Sequence, residues 1–165
     1  AERTKFAIID AIARRKSDLV EGLLSENPNL CNAQLRCFSS KSPLHFVAER
    51  TRTATEWHDV ESRAKILETL LAARSDPNLR DAFGRTVLHA ACQWDCSAQL
   101  VRRLVEARAD VNVRATGGAL VGKTPADMLL SNDTVQLQHL NRGFKEHSST
   151  DRSELLQYLL EQGRG

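Results

Sequence analysis

The segment from residue 81 to 114 constrains the fold more than any other part of this chain. Gly84 stands where a tight turn needs a positive φ, and Thr86 follows as a candidate N-cap for a short helix. A second helix is indicated by four apolar residues at the spacing of one buried helix face, namely Leu100, Val101, Leu104 and Val105. Asp110 and Asn112 then favour another turn. The segment therefore predicts a turn, two helices and a polar hairpin tip.

The same pattern recurs in three other parts of the chain. The helix start returns as Ser42-Pro43-Leu44-His45 and, with two replacements, as Thr124-Pro125-Ala126-Asp127. The apolar stripe of the second helix returns at residues 19–24, 66–71 and 155–160. Because one pattern appears four times, we expect an array of similar units within a single domain. The predicted units occupy residues 4–36, 37–80, 81–114 and 119–163.

The stretch Thr86-Val87-Leu88-His89-Ala90-Ala91 resembles the T-P-L-H-x-A motif of ankyrin repeats, with Val87 in place of the proline. The resemblance covers nearly the whole chain. It implies an all-α solenoid of stacked helix-turn-helix units with short β-hairpin fingers. It also implies that Leu88 and Leu104 are buried between repeats. His45 and His89 are expected to form hydrogen bonds within the turns.

Three inserts interrupt the regular period. They lie near residues 51–61, 115–118 and 131–152. The first carries Trp57, which we expect to pack on the outer helices or to form a second contact site. In the third, residues 145–150 predict a loop and Asp151 predicts the N-cap of the final helix. We expect residues 51–58 and 143–150 to be the most mobile or irregular segments.

Composition excludes several other classes of protein. The 165 residues carry a formal net charge of +2 and only 5% aromatic side chains. The sequence shows no apolar run of the ~20 residues that a membrane span needs, and no signal peptide. Because it opens on Ala1 rather than Met, we expect a fragment excised from a longer protein.

The cysteine residues indicate the compartment. Their spacing fits no disulfide framework, and the ankyrin-repeat family is mostly intracellular. We therefore expect reduced thiols in a cytoplasmic or nuclear protein that is not secreted. The four residues concerned are Cys31, Cys37, Cys92 and Cys96.

Two patterns suggest chemistry, but each has a simpler structural interpretation. His89, Cys92 and Cys96 would fall along one helix and supply three ligands, whereas a structural zinc site needs four. Residues 117–124, GGALVGKT, match the spacing of a P-loop. A repeat finger replaces the strand that must precede a P-loop, and Pro125 continues into an ankyrin-type helix. We expect no metal, no nucleotide or other cofactor, and no enzymatic activity.

The resemblance implies a concave groove, lined by the fingers and the first helices, in which the family holds protein partners. At the corresponding positions we find aromatic and basic side chains that packing between repeats does not need, and Glu49 as the one acid. The predicted partner-binding residues are Phe83, Arg85, Trp94, Gln93, Phe38, Lys41, Arg50, Arg80, Arg114 and Lys123. Because Trp and Arg are enriched at interface hot spots, we expect a protein partner with apolar and acidic residues. The chain by itself is expected to be monomeric and not inserted in a membrane.

Two other functions stay open at this point. The Arg-rich groove, with Phe83 or Trp94 stacked on bases, would suit single-stranded nucleic acid, although the small net charge argues against it. The spacing of Leu104, Asp110 and Asn112 resembles the sites at which an asparaginyl hydroxylase modifies ankyrin repeats. Asn112 is therefore a candidate for hydroxylation. The same side chain would also suit a structural hydrogen bond across the hairpin.

Overall fold

The computed structural model describes residues 2–49, 60–95, 98–135 and 149–164. Within these ranges, eight α-helices follow one another as four successive pairs. The helices are α1 Glu2–Ala13, α2 Ser17–Glu26, α3 Pro43–Ala48, α4 Val60–Ala72, α5 Val87–Ala90, α6 Ala98–Glu106, α7 Pro125–Val135 and α8 Ser149–Gln162. We call α1–α2 pair 1, α3–α4 pair 2, α5–α6 pair 3 and α7–α8 pair 4. A π-helical turn, Ala91–Asp95, continues α5.

Each pair packs against the next pair along the chain. The first helices contact one another in order, α1 with α3, α3 with α5 and α5 with α7. Among the second helices, α2 packs on α4 and α6 packs on α8. Stacking in chain order is the architecture of a solenoid. The predicted all-α array of stacked helical units is therefore confirmed.

Apolar side chains between the pairs form one continuous core. Leu88 of α5 and Leu104 of α6 are fully buried, as the sequence predicts. Cys92 is also fully buried and packs as a small apolar side chain. Cys31 is buried as well, whereas Cys37 is exposed.

Tight turns, which we call fingers, precede the first helices of three pairs. Finger 2 covers residues 35–41, finger 3 covers residues 81–85 and finger 4 covers residues 115–123. Finger 2 contains an isolated antiparallel bridge between Leu35 and Lys41. Finger 4 includes the predicted insert at residues 115–118 and a short 3-10 turn. The P-loop-like segment therefore lies in a finger rather than after a strand.

Neighbouring fingers hydrogen-bond to each other through the backbone. The N–H of Ala82 donates to the carbonyl of Ser39 at 2.8 Å, and the N–H of Thr116 donates to the carbonyl of Phe83 at 2.9 Å. Gly84 has a φ of 70°, as the sequence predicts. A Cβ on Gly84 would lie 2.9 Å from the backbone nitrogen of Thr116. Glycine is therefore required here both for the turn and for the approach of the next finger.

Three helices are followed, two residues after their last residue, by an arginine whose backbone is left-handed. The residues and their φ angles are Arg15 at 57°, Arg74 at 62° and Arg108 at 66°. In α6, the N–H of Ala109 donates to the carbonyl of Leu104 at 2.9 Å, and the N–H of Arg108 donates to that of Val105 at 2.9 Å. These two bonds form a Schellman motif, which usually has glycine at this position because side chains are strained there. The left-handed backbone of these arginines is therefore strained and lowers the stability of the folded protein.

The last helix begins earlier than the sequence predicts. α8 already includes Ser149 and Thr150, so the predicted N-cap at Asp151 and the end of the predicted loop are wrong. Ser, Thr and Asp all suit the start of a helix, so their order alone does not show which residue begins it. The first residues of the third insert, 131–135, continue α7. Trp57, residues 51–58 and residues 143–148 lie outside the described residues.

We predict that Leu104→Ala lowers the free energy of unfolding by about 2–5 kcal/mol, because a fully buried side chain is lost and a cavity remains. Urea unfolding followed by circular dichroism measures the change. The control is Leu19→Ala, since Leu19 is 59% exposed. Equal unfolding midpoints for the two variants would contradict the packing described above.

We also predict that Arg108→Gly stabilises the protein by about 0.5–1 kcal/mol, because glycine adopts a positive φ without the strain of a side chain. Thermal unfolding measures the gain. Arg108→Ala is the matched control, since it removes the same charge but keeps a Cβ. A gain of equal size in the alanine variant would show that charge, rather than backbone strain, is responsible.

Candidate partner-binding surface

Finger 3 is organised by the buried carboxylate of Asp81. Its Oδ1 accepts hydrogen bonds from the backbone N–H groups of Phe83 and Arg85, each at 2.9 Å. Its Oδ2 lies 2.7 Å from the Arg85 guanidinium. Burial by itself raises the pKa of Asp81, but the hydrogen bonds and the charge of Arg85 outweigh burial and hold the pKa below its usual value. The carboxylate is therefore ionised and fixes the shape of the finger.

Phe83 lies at the tip of this finger and is 39% exposed. The Arg85 guanidinium lies 5.1 Å from the centroid of the Phe83 ring, within the range of a cation–π contact. On the side of finger 4, a Cβ added to Gly118 would lie 3.3 Å from Cδ1 of Phe83. Phe83 is thus supported by two neighbours and still presents apolar surface to solvent.

Two of the predicted binding cations already have acidic partners. The Nζ of Lys41 lies 2.7 Å from the Glu49 carboxylate, and both side chains are largely buried. Arg85 pairs with Asp81, whose side chain is almost fully buried. Removal of Arg85 would leave a buried carboxylate without its charge partner, which is costly. Arg85 therefore has a structural role within finger 3, and its part in partner binding stays a prediction.

Other predicted cations remain accessible. Arg80 and Lys123 are exposed, and neither forms an ion pair within the part of the chain that the structure describes. Arg114 is exposed and donates from Nη1 to the carbonyl of Gly122 at 2.7 Å. A basic surface is thus present, but it contains fewer unpaired charges than the sequence suggests.

The π-helical turn carries the remaining predicted residues of pair 3. Gln93 is half-buried within this turn. Trp94 belongs to the same turn, but its side chain lies outside the described part of the structure, as does the whole of Arg50. A π-helical turn widens the helix locally and often occurs at functional sites.

An aromatic cluster extends the surface toward pair 1. Phe38 of finger 2 makes edge-to-face contacts with Phe6 at 6.0 Å and with Phe46 at 5.5 Å between ring centroids. Phe6 is 42% exposed and Phe38 is 41% exposed. The sequence reasoning missed Phe6 and Phe46. The signal for Phe6 was weak, since a single aromatic residue in an apolar helix usually belongs to the core.

His45 joins its own helix to the next finger. Its Nδ1 accepts from the backbone N–H of Ser42 at 3.2 Å and from the Ser42 hydroxyl at 2.8 Å. Because a backbone N–H can only donate, Nδ1 must be the unprotonated nitrogen. Nε2 therefore carries the proton and donates to the carbonyl of Arg85 at 3.1 Å. Burial lowers the pKa of His45, although this bond to Arg85 opposes the change.

His89 repeats this arrangement one pair later. Its Nδ1 lies 3.1 Å from the Thr86 nitrogen, and its Nε2 lies 3.1 Å from the carbonyl oxygen of Lys123 in finger 4. Burial likewise lowers the pKa of His89. In pair 4 a carboxylate takes the place of the ring, since Asp127 accepts from the Thr124 N–H at 2.8 Å. The predicted structural role of the two histidines is confirmed.

Asparagines that lie three residues before each finger link one pair to the next. The residues are Asn32, Asn78 and Asn112. The Nδ2 of Asn78 donates to the carbonyl of Arg108 at 3.0 Å, and its Oδ1 accepts from the N–H of Asp110 at 2.7 Å. The Nδ2 of Asn112 donates to the carbonyl of Gly163 at 3.2 Å. The structural role of Asn112 is confirmed, while its hydroxylation stays a prediction.

The stacked pairs, linked fingers and buried turn histidines define a helical repeat protein. A family model of ankyrin repeats, in three copies, matches residues 8–115. The chain belongs to the ankyrin-repeat family, whose repeats generally mediate protein–protein interaction and are generally not enzymes.

Comparison with curated proteins finds a longer viral relative. The chain is 25% identical over 119 residues to FPV031, an ankyrin repeat protein of Fowlpox virus (strain NVSL). The match covers 72% of this chain and 31% of the viral protein, so the chain spans less than a third of that relative. Within the described residues, no helix has the length and hydrophobicity required to cross a membrane.

We predict that the free energy of unfolding decreases as the pH falls below about 6.5. Below that pH His45 and His89 bind protons in the unfolded chain, whereas in the folded protein burial keeps both rings neutral to a lower pH. Their pKa values are lower in the folded state than the ordinary 6.5, so the stabilisation is complete above that pH. Urea unfolding from about pH 7.5 to about pH 5 measures the slope. His89→Gln should be less stable at the higher pH and show a shallower slope. A flat profile for the unsubstituted protein would contradict the neutral, buried state of both rings.

Proposed function

We propose that the groove face binds an extended segment of a protein partner that carries apolar side chains and carboxylates. The groove face is the surface formed by fingers 2, 3 and 4 together with the first helices of the pairs. The main supporting observation is the exposure of Phe38 and Phe83 on successive fingers whose backbones are hydrogen-bonded to each other. Membership of a family that generally binds proteins supports the same proposal.

The aromatic residues supply the apolar part of the proposed contact. Phe6 and Phe38 form one exposed patch, and Phe83 forms a second patch on the next finger. A partner that buries these rings gains transfer free energy from surface that the fold leaves in water. The fingers are already held by Asp81 and by neighbouring backbone groups, so little conformational entropy is lost on binding.

The accessible cations supply the polar part. Arg80, Arg114 and Lys123 are exposed on or beside fingers 3 and 4, where a carboxylate of the partner would approach them. At the edge of an interface such charges mainly increase association rate and specificity. Lys41 and Arg85 contribute less charge, because Glu49 and Asp81 neutralise them. This pairing also favours a protein over a nucleic acid, whose binding depends on unpaired cations along the phosphates.

We predict that panning a random peptide display library on this protein recovers peptides that combine apolar and acidic residues. With one recovered peptide, made synthetically, Phe38→Ala or Phe83→Ala should raise the Kd at least about tenfold, or ~1.4 kcal/mol, because the apolar contact of the ring is lost. Isothermal titration calorimetry measures the Kd. The matched control, Leu19→Ala, also removes an exposed apolar side chain but lies on α2, away from the groove face.

The same assay tests the residues that the sequence alone placed in the groove. Trp94→Ala should raise the Kd of the peptide by about thirtyfold, corresponding to ~2 kcal/mol. Lys123→Glu should slow association, and added salt should reduce that difference. If the phenylalanine and tryptophan variants all bind as tightly as the parent, the site lies elsewhere, and the insert with Trp57 is tested next. Stronger binding of a single-stranded DNA oligomer, with a steep salt dependence, would favour the nucleic-acid alternative.

A further inference from the structure

One backbone hydrogen bond recurs in each finger and identifies equivalent residues. It runs, N–H to carbonyl, from Leu35 to Lys41 in finger 2, from Asp81 to Arg85 in finger 3 and from Ala115 to Lys123 in finger 4, with lengths of 3.4, 2.9 and 3.0 Å. The three acceptor residues are therefore equivalent, and so are the residues just before the donors, namely Gln34, Arg80 and Arg114. We call these two positions the base of each finger.

The base of finger 2 carries no net charge. Gln34 is neutral, and the Nζ of Lys41 lies 2.7 Å from the Glu49 carboxylate. Arg36 of this finger is exposed, but it lies outside the base. A carboxylate of a partner therefore gains little from the base of finger 2.

The bases of fingers 3 and 4 carry accessible cations. In finger 3, Asp81 neutralises Arg85, and Arg80 remains exposed. In finger 4 both base residues, Arg114 and Lys123, are exposed, and neither belongs to an ion pair among the residues that the structure describes. Accessible cations thus first occur at the base of finger 3 and increase in number at finger 4.

Asp127 is an acidic residue near the two cations of finger 4. Its Oδ2 accepts from the Thr124 N–H at 2.8 Å and from the Thr124 hydroxyl at 3.0 Å. The bond from the Thr124 N–H is the main cause that holds the pKa of Asp127 below its usual value, and the charges of Lys123 and Arg114 contribute. Because the ionised Asp127 offsets one of the two charges, the bases of fingers 3 and 4 each keep one positive charge in excess.

The exposed aromatic rings lie toward the other end of the groove face. Phe6 contacts Phe38 between pair 1 and finger 2, and Phe83 follows on finger 3. Finger 4 contains no aromatic residue, and its most exposed large apolar side chain is Val121, at 62%. A valine buries less apolar area on binding than an aromatic ring does. The groove face is therefore aromatic toward pair 1 and basic toward pair 4.

We propose that the partner segment lies along the groove face in one order, with its apolar residues at fingers 2 and 3 and a carboxylate at the base of finger 4. The proposal rests on the proposed function, to which it adds the order and the spacing of the partner residues. The favourable contacts occur together only in this order, because the base of finger 2 is neutral and finger 4 lacks an aromatic ring.

The step from one finger to the next sets the spacing. Each finger contributes two backbone segments, and hydrogen-bonded segments lie about 4.8 Å apart, so successive fingers are roughly 10 Å apart. Helices that pack on each other are separated by a similar distance, about 8–10 Å. A polyproline II segment rises about 9 Å in three residues and presents every third side chain on the same side. We therefore expect apolar residues at positions i and i+3 and the carboxylate at i+6, or the same pattern read in the reverse chain direction.

The first test uses the peptides that are recovered from the random display library. Independently recovered sequences should share this pattern of two apolar residues and one acidic residue at intervals of about three, in one chain direction. Sequences that depend on Phe38 and Phe83 for binding but share no order or spacing would overturn the proposal and leave the proposed function standing.

The second test locates the carboxylate by double-mutant cycles in isothermal titration calorimetry at low salt. Replacing the acidic residue of a synthetic recovered peptide by its amide should raise the Kd about fivefold with the parent protein, a loss typical of exposed ion pairs. With the double variant Arg114→Gln, Lys123→Gln, the same replacement should change the Kd less than about twofold. Circular dichroism checks that the variant is folded, and Lys123→Gln alone should give an intermediate effect.

Arg36→Gln is the matched control, because it removes an exposed cation from finger 2. In this variant the fivefold effect of the peptide's carboxylate should persist. Conversely, alanine at the apolar peptide residue farthest from the carboxylate should raise the Kd with the parent protein but have little further effect with Phe38→Ala.

Two outcomes of the cycles overturn the proposal. If the carboxylate loses its effect with Arg36→Gln rather than with the double variant, the partner lies in the opposite order. If its effect is equal in all of these proteins, the cations of finger 4 do not bind it. In both cases a continued dependence on Phe38 and Phe83 preserves the proposed function, whereas its loss in every recovered peptide overturns both proposals.

Discussion

A buried neutral imidazole in each central pair is the contact on which the rest of the structure depends. In His45, Nδ1 accepts from the Ser42 backbone and so closes the start of α3, while Nε2 donates to the Arg85 carbonyl in the next finger. One rigid ring therefore fixes two elements of different pairs relative to each other. Both bonds require the neutral ring with its proton on Nε2. Burial, which lowers the pKa of His45, maintains that same state.

The histidine contacts connect the core with the groove face. His45 hydrogen-bonds to the backbone carbonyl of Arg85, and His89 hydrogen-bonds to that of Lys123. The buried histidines therefore position the backbone that carries these two groove side chains. Asp81 then completes finger 3 by accepting from the backbone N–H groups of Phe83 and Arg85. The proposed binding surface is thus rigid because the stacking of the pairs makes it so. A partner meets preformed fingers instead of having to order them.

Asparagines just before the fingers bind the chain where the second helix of the next pair ends. Arg108 adopts a left-handed backbone at the end of α6, and the Asn78 side chain of the preceding pair binds its carbonyl. The same link joins Asn112 to Gly163 at the end of α8. Because every such bond joins one pair to the next, each pair depends on its neighbours for stability. The exposed leucines at both ends of the array, Leu19 and Leu130, show where that mutual support stops.

Local pattern was enough to predict the array and the turn at Gly84, because helix periodicity and positive φ each depend on a few neighbouring residues. The histidine turns were expected from the resemblance to ankyrin repeats. The sequence by itself therefore determined the fold and the positions of the fingers. Only the tertiary structure decided which charges stay available, since Asp81 neutralises Arg85. It likewise brought Phe6 from α1 to Phe38 in finger 2. The contact between these two rings depends on which side chains the stacking of neighbouring units brings within reach, and spacing along the chain does not encode that distance. The pairing of Asp81 with Arg85 depends instead on how the turn of finger 3 folds.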